Sequence, residues 1–254
     1  MSTELSEPIQ YYLDMGSDFI IANNLINKKI GFEFKGYQCL ECGNDEKIFA
    51  QGLCKKCFFE SPKVGQWVMK PELSTAHLDI EDRDLAFEKQ MQLQEHVVYL
   101  AKTSDIKVGV TRKNQVPTRW IDQGADKATI ILEVPNRYLA GMAEVALKQY
   151  VSDKTSWQKM LKGEQTDKNL IEVKQTLKQQ LPADLMRYWI DDNQVLSLHY
   201  PVTAYPEKVK SINLEKTSFF EEKLIGIKGQ YLIFENGQVL NIRNHSGYIV
   251  EISF

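Results

Sequence analysis

Four cysteines carry the clearest chemistry in this sequence. Cys39 and Cys42 form one Cys-x-x-Cys pair, and Cys54 and Cys57 form a second pair after eleven intervening residues. Each pair can form a tight turn that directs two thiolates to one point, and two such turns complete the tetrahedral sulfur set that zinc prefers. The spacing therefore predicts a structural zinc ribbon over residues 39–57, with iron as the less favoured metal.

Other uses of these cysteines have weaker support. Two disulfides or free reactive thiols are possible, but a reducing cytoplasm disfavours disulfides. A ribbon can simply staple a small subdomain that lacks a core of its own, or it can contact nucleic acid or protein. Lys55 and Lys56 suit phosphate contact, although the surrounding segment is acidic. The sequence leaves both roles of the ribbon open.

Charge is distributed unevenly along the chain. Its 254 residues carry a formal net charge of −3, which argues against a protein that coats nucleic acid nonspecifically. Residues 91–163 nevertheless contain 11 Lys and Arg against 7 Asp and Glu. No apolar run reaches the roughly 20 residues that span a bilayer, and the acidic Met1–Glu7 is unlike a secretory signal. These features predict a cytoplasmic protein with no membrane partner.

The elements that position the central polar residues begin with a β-hairpin. His96–Ala101 is an apolar run typical of a buried strand, and Ile106–Thr111 alternates in character after a turn at Ser104–Asp105. Gly109 removes a side chain where another group approaches the backbone closely or where the strand bulges.

A short helix and a third strand follow the hairpin. Pro117 suits a helix start, and the helix over residues 118–123 is closed by Gly124. Ala128–Val134 reads as a strand, after which Asn136 caps a helix that extends to about Val151.

Glu144 lies on the flank of that last helix. The predicted apolar stripe of the helix consists of Leu139, Ala143, Ala146 and Tyr150. Ala140 and Gly141, one turn earlier, are small and are expected to leave room for a ligand beside the carboxylate. In an isolated helix such a glutamate would more often be solvated.

The rest of the chain supplies partner elements. Residues 1–90 contain short strand-like runs, the ribbon and an acidic run, Asp79–Asp84, that suits the start of a helix. Helices over residues 156–161 and 169–178 are expected to cover the central sheet. Residues 182–254 contain four short apolar runs with hairpin turns at Asn236–Gly237 and Ser246–Gly247, which predict an antiparallel β-module.

The β-module has two interpretations. It could be a structural module completed by the amino-terminal strands, or it could contact nucleic acid by stacking and phosphate binding. The residues expected to be exposed for such contact are Lys228, Gln230, Tyr231, Arg243, Asn244 and His245.

The element order resembles that of the GIY-YIG nuclease superfamily: a strand with Tyr99, a strand with Lys107-Val108-Gly109, a helix with Arg119, a third strand and a helix with Glu144. The segments KVGVTR, RWIDQGA, AEVAL and GIKGQYLIFENGQVLNIRNHSGY are similar to a family of uncharacterised prokaryotic proteins in which a four-cysteine ribbon precedes this domain. The resemblance covers most of the chain. It implies an α+β fold with a small three-stranded antiparallel sheet flanked by helices.

The superfamily pattern also implies roles for three residues. Tyr99 takes the place of the tyrosine that positions or activates the attacking water, Arg119 faces the scissile phosphate, and Glu144 holds one divalent ion, Mg²⁺ or Mn²⁺. Phosphodiester hydrolysis needs charge stabilisation on the phosphoryl oxygens and an oriented nucleophile. The implied residues are suited to both needs.

Lys107 stands where the pattern has its second tyrosine. It could hold a phosphate, lower the pKa of Tyr99, or mark a domain that binds the phosphate backbone without cutting it. His96 could serve as a base, although a histidine at a strand end is more often structural. Asn169 is a candidate for the late asparagine of the superfamily.

Two functions are consistent with these residues. One is a divalent-metal-dependent nucleic-acid phosphodiesterase, and the other is an inactive nucleic-acid or ribonucleoprotein-binding protein that uses the same cleft. DNA or RNA is the predicted partner, and the predicted phosphate contacts are Lys107, Arg112, Lys113 and Arg119. A protein-binding adaptor is less favoured, because it gives the cations no task.

The sequence divides into three predicted segments. Residues 1–90 form the β segment with the ribbon, residues 91–181 form the central domain, and residues 182–254 form the β-module. The phosphodiesterase function requires Tyr99, Arg119 and Glu144 to converge on one cleft; side chains on different faces would exclude it.

Overall fold

The computed structural model describes residues 1–151 and 156–254, and shows a mixed α+β protein. The amino-terminal elements are β1 (Ser2–Glu4), β2 (Gln10–Asp14), β3 (Phe19–Ile21), β4 (Lys29–Tyr37), β5 (Ile48–Ala50), β6 (Leu53–Cys54), α1 (Lys55–Glu60), α2 (Gln66–Met69) and α3 (Leu85–Gln92). The central elements are β7 (His96–Lys102), β8 (Ile106–Arg112), α4 (Thr118–Asp122), β9 (Lys127–Val134) and α5 (Arg137–Lys148). The carboxy-terminal elements are α6 (Trp157–Leu161), α7 (Leu170–Lys178), β10 (Leu196–Ser197), β11 (Lys210–Ser211), β12 (Phe219–Lys228), β13 (Tyr231–Phe234), β14 (Gln238–Asn241) and β15 (Tyr248–Ser253).

The central sheet has the strand order β10-β9-β7-β8. The predicted hairpin and third strand form, and β7 pairs antiparallel with both neighbours, so that Tyr99 lies opposite Gly109 on β8 and Ile130 on β9. The sheet has four strands rather than the predicted three, because β10 adds to β9. Two residues are too few to give a recognisable strand pattern. Strand β8 is left as one edge.

Both faces of β7 are buried, which explains its unbroken apolar sequence. Val97, Tyr99 and Ala101 point into a core shared with β4, β12 and β13, while Val98 and Leu100 point towards α5 and α7. The alternation follows from the two-residue period of a strand. The central sheet is therefore a shared wall between two cores.

Helix α5 presents a different stripe from the predicted one. Its buried residues are Ala140, Gly141, Ala143 and Leu147, whereas Tyr150 is 51% exposed. The buried stripe is rotated towards the small residues because the connector between α1 and α3, residues 61–84, packs closely on them. A Cβ at Gly141 would lie 2.2 Å from the backbone N of Glu72.

The second large sheet joins both ends of the chain. Its order is β11-β14-β13-β12-β4-β15, in which the amino-terminal β4 lies between two carboxy-terminal strands. The predicted hairpin turn at Asn236–Gly237 connects β13 to β14, and Gly237 has a φ of +79°. The β-module is thus completed by an amino-terminal strand, the first of its two predicted interpretations.

The helices after α5 cover different sheets. Leu170 and Leu177 of α7 pack against the central sheet, as predicted. Met160 and Leu161 of α6 pack instead with Ile225 of the second sheet, which corrects the prediction that α6 covers the central sheet. Within the described parts of the chain, no helix has the length and apolar character needed to cross a membrane.

Two predicted caps form with the expected side chains. Asp84 accepts a hydrogen bond from the Phe87 N–H at the start of α3, and Asn136 accepts one from the Leu139 N–H at the start of α5. The buried Glu88 carboxylate accepts three more bonds, from the N–H groups of residues 82–84. These contacts fix the connector that borders α5.

Candidate phosphate-binding cavity and metal centre

A cavity of about 1250 Å³ opens around the edge strand β8. Its walls come from the ribbon, the connector, α3, α4, α5 and the turn before β15. Its charged lining residues are the cations Lys63, Lys107, Arg112, Arg119, Arg137 and Arg243 and the acids Asp122 and Glu144. Six cations against two carboxylates make the cavity positive in a protein whose net charge is −3.

Tyr99 reaches this cavity because Gly109 has no side chain. A Cβ at Gly109 would lie 2.6 Å from both Cζ and the hydroxyl of Tyr99, so the ring lies directly over the glycine. The close approach predicted at Gly109 is therefore made by Tyr99. Gln123 donates a hydrogen bond of 2.8 Å to the Tyr99 hydroxyl.

The Tyr99 phenol is held in its neutral form. Burial raises its pKa, while the positive charge of Arg119 acts in the opposite direction and Glu144 adds to the rise. A neutral phenol can donate a hydrogen bond to a phosphoryl oxygen or to a water, but it is not a ready proton acceptor. Tyr99 is fully buried, so a ligand or water would have to displace the Gln123 contact to reach the hydroxyl.

Lys107 and Arg119 are neighbouring cations in the cavity lining. Burial and, to a smaller extent, the nearby charge of Arg119 lower the pKa of Lys107 to about 8. Neither residue forms a salt bridge with any described residue. The acids Asp122 and Glu144 line the same cavity but are outnumbered by six cations, and this excess of positive charge favours the binding of an anion.

Glu144 enters the cavity from α5, on the other side of β8. Burial raises its pKa; Lys148 opposes that rise most strongly, and Arg137 and Arg119 also oppose it. The space expected beside it is absent at Gly141, which is filled by the backbone of Pro71–Glu72. The small residues therefore serve packing with the connector, and the carboxylate faces the cavity from a crowded wall.

Arg137 also lines the cavity and was not among the predicted site residues. It donates hydrogen bonds of 3.0 and 2.8 Å to the carbonyl oxygens of Trp67 and Val68, and its guanidinium lies over the Trp67 ring. Burial lowers its pKa to about 10. An arginine at the first position of a helix looks ordinary in sequence, and its partners lie about 70 residues earlier.

The predicted phosphate contacts divide into two groups. Arg112 lines the cavity along with Lys107 and Arg119. Lys113 does not line it, because its ammonium pairs with Glu133 and with Glu95.

Two other candidates hold structural positions. His96 is buried outside the cavity lining, and its Nδ1 lies 2.8 Å from the carbonyl oxygen of Gln94. Burial lowers its pKa to about 4, so a neutral ring donates from Nδ1. Asn169 caps α7 by accepting from the N–H groups of Ile171 and Glu172.

Several β-module residues expected to be exposed are not. Lys228 is fully buried and pairs with Asp126 at 2.7 Å, and Gln230 donates to Asp122. Tyr231 stacks on Trp157. These residues join the β-module to the central domain and α6.

Three more β-module residues were expected to contact nucleic acid. His245 accepts at Nε2 from the Leu214 N–H and lies 2.8 Å at Nδ1 from the Asn241 carbonyl. Arg243 and Asn244 do line the cavity. The predicted nucleic-acid surface is therefore reduced to the turn that carries these two residues.

The four cysteines form a compact sulfur cluster. The Sγ atoms of Cys39, Cys42, Cys54 and Cys57 all lie within 4.8 Å of one another. Zinc–sulfur bonds of about 2.3 Å in a tetrahedron place sulfurs roughly 3.8 Å apart, so the set fits a structural zinc ion. Burial acts to raise the pKa of Cys39, but hydrogen bonds from the backbone of Cys42, Cys54 and Glu41 bring it down to about 6.

The fold and the cysteine cluster define a mixed α+β protein with a four-sulfur metal centre and a cationic cavity. The model of the family described as protein of unknown function DUF2797 matches residues 27–250. The chain belongs to this family, which confirms the predicted membership of an uncharacterised family with a four-cysteine cluster. No curated protein and no solved structure matches the chain.

Proposed function

We propose that this protein binds nucleic acid, with the phosphate backbone held in the cationic cavity around β8. The observation that carries the proposal is that Lys107, Arg112 and Arg119 line one cavity. Neither Lys107 nor Arg119 forms a salt bridge among the described residues. Phosphate is the abundant biological anion that matches a guanidinium fork and an ammonium. The charge lies inside a cavity and is not spread over the surface, which fits a net charge of −3 for the whole chain.

A second candidate function is hydrolysis of the phosphodiester at the same site. The observation that favours it is that Tyr99, Arg119 and Glu144 line one cavity, as the GIY-YIG resemblance requires. Arg119 would stabilise charge on the phosphoryl oxygens, and the neutral Tyr99 hydroxyl would orient the attacking water. Lys107 would add positive charge where the pattern has a tyrosine.

Glu144 is the residue that would hold a divalent ion. Mg²⁺ commonly binds one or two carboxylates, waters and substrate phosphates, and Glu144 is a half-buried carboxylate whose pKa is raised by burial. A cation beside it would relieve that burial penalty. When bound, Mg²⁺ or Mn²⁺ would neutralise the charge that develops on the transferred phosphoryl group.

One panel of substrates separates binding from cleavage. Linear, nicked and branched DNA and a structured RNA are incubated with wild-type protein and Mg²⁺ or Mn²⁺, and binding is measured in parallel with EDTA. The matched variants are Glu144→Ala in the cavity and Glu164→Ala, whose carboxylate is exposed.

The outcomes of this panel are distinct. Cleavage that Glu144→Ala abolishes and Glu164→Ala retains would support the phosphodiesterase. Binding without cleavage would support recognition alone, and cleavage unchanged by Glu144→Ala would exclude this cavity as the catalytic site. Failure of the wild type to bind any of these nucleic acids would contradict the whole proposal.

A further inference from the structure

The ribbon presents one aromatic ring, that of Phe49, to the cavity, and two further rings pack beside it. Phe49, on β5, lines the cavity and is 52% exposed. Its ring centroid lies 5.0 Å from that of Phe58 and 5.6 Å from that of Phe59, which is itself 57% exposed. We call Phe49, Phe58 and Phe59 the ribbon aromatic cluster. Adjacent exposed apolar rings in a structured element mark a binding surface more often than isolated ones do.

The sulfur cluster fixes the position of these rings. Phe58 and Phe59 directly follow Cys57 on α1, and Ile48, the residue before Phe49, pairs with Cys54 across β5 and β6. A metal bound by the cysteines would therefore hold all three rings in place. Rings held in this way lose little conformational freedom when a ligand stacks on them.

The ribbon is also docked against the β-module. The Gln38 N–H donates to the Gly247 carbonyl oxygen at 2.8 Å, and a Cβ at Gly247 would lie 2.7 Å from Cδ1 of Ile48. The residues on either side of Gly247, Ser246 and Tyr248, line the cavity. Phe49 is thus held at the same cavity wall as the turn that carries Arg243.

We infer that the ribbon aromatic cluster stacks an unpaired base of a nucleic acid whose phosphates lie against the cavity cations. The inference rests on the proposed function and names its substrate class: single-stranded DNA or RNA, or a duplex with an unpaired region. Exposed rings beside a positively charged groove form the arrangement that binds single strands, because every base has a face that can stack. Paired bases in a duplex do not offer that face.

Two observations favour a nucleic-acid strand over an apolar peptide. The same cavity is lined by six cations, Lys107 and Arg119 among them, against two carboxylates, and this excess of positive charge favours an anionic ligand. Its volume of about 1250 Å³ also exceeds the roughly 300–1,000 Å³ of ordinary small-molecule pockets, which suits a polymer segment.

The test compares an intact single strand with an abasic strand of the same length. Affinities are measured by fluorescence anisotropy with the zinc-loaded full chain, for wild type, Phe49→Ala and Phe49→Tyr. Phe49→Ala should weaken binding of the intact strand by roughly 5- to 100-fold and leave binding of the abasic strand unchanged. Phe49→Tyr, which keeps the ring, should bind the intact strand like wild type.

Zinc content and the thermal midpoint of Phe49→Ala report whether the ribbon stays folded. Its salt dependence should match that of the wild type, since no phosphate contact is removed. If the wild type binds both strands and Phe49→Ala binds them equally well, this inference is overturned while phosphate binding stands. The ribbon aromatic cluster would then be free to bind an apolar peptide. If the wild type binds neither the intact nor the abasic strand, both proposals are overturned.

Discussion

Stability should depend on pH through the buried histidine His96. Burial lowers the pKa of His96 to about 4, whereas an unfolded histidine titrates near 6.5. A depressed pKa means that the neutral ring is stabilised in the fold. The contribution is fully present above about pH 6.5 and is lost as the pH falls towards 4.

The magnitude follows from proton linkage between these two pKa values. The free energy of unfolding should fall by about 2 kcal/mol between pH 7.5 and pH 5, and by about 3 kcal/mol at pH 4, from His96 alone. The physical reason is that a second proton would have to sit on Nε2, which is buried and has no hydrogen-bond partner among the described residues.

Urea denaturation followed by tryptophan fluorescence measures this effect at pH values from 7.5 to 4.5. His96→Gln keeps a donor for the Gln94 carbonyl but does not titrate, so its free energy of unfolding should fall less steeply in acid than that of the wild type. His199→Gln, at an exposed position, is the matched control and should follow the wild type. If the free energy of unfolding falls equally steeply with pH in wild type and His96→Gln, the conclusion that His96 is held neutral in the fold is wrong.

Four further predictions concern packing, charge and metal. Gly109→Ala should destabilise the wild type by about 1–3 kcal/mol through overpacking against Tyr99, but in a Tyr99→Leu background it should be neutral or stabilising, as measured by chemical denaturation; a penalty of the same size in both backgrounds would contradict the ring contact. Lys228→Met should destabilise by about 3–5 kcal/mol because it leaves the Asp126 carboxylate buried without its partner, and Asp126→Leu in the same chain should recover much of that loss. Glu144→Gln should raise the thermal midpoint at pH 7, since burial raises the pKa of this carboxyl, and the difference should vanish below about pH 4, near its unfolded pKa. Metal analysis should find one zinc per chain, and a chelator should lower the thermal midpoint; substitution of all four ribbon cysteines by serine should remove both the metal and the chelator effect.

Local sequence patterns predicted the elements whose signals are local. Strands β7 to β9, the cap at Asn136 and the sulfur cluster follow from period, capping chemistry and spacing within short windows. Gly109 could be recognised as a point of close approach. That the approaching group is Tyr99 depends on strand register, which pairs the two residues across the hairpin.

The misplaced residues depend on contacts between distant parts of the chain. Lys228 was expected at the surface because its partner Asp126 lies 102 residues earlier. The stripe of α5 was rotated because Gly141 packs on Glu72 of the connector, and the sequence alone does not show that contact. The cavity position of Arg137 likewise depends on a contact with the connector, since its guanidinium binds the carbonyl oxygens of Trp67 and Val68. The order of the elements predicted that Lys107, Arg112 and Arg119 would line one cavity. It did not predict the other residues that form the cavity walls.

The salt dependence of nucleic-acid affinity tests the phosphate-binding cavity most directly. Affinity for one single strand is measured over a range of salt concentrations for wild type, Arg119→Met in the cavity and Lys113→Met, whose ammonium is already paired with Glu133. The logarithm of affinity should decrease with the logarithm of salt by about 0.7 units per phosphate contact. Arg119→Met should therefore bind more weakly with a slope smaller by about that amount, while Lys113→Met keeps the wild-type slope. Equal slopes and affinities for wild type and Arg119→Met would contradict phosphate binding in this cavity.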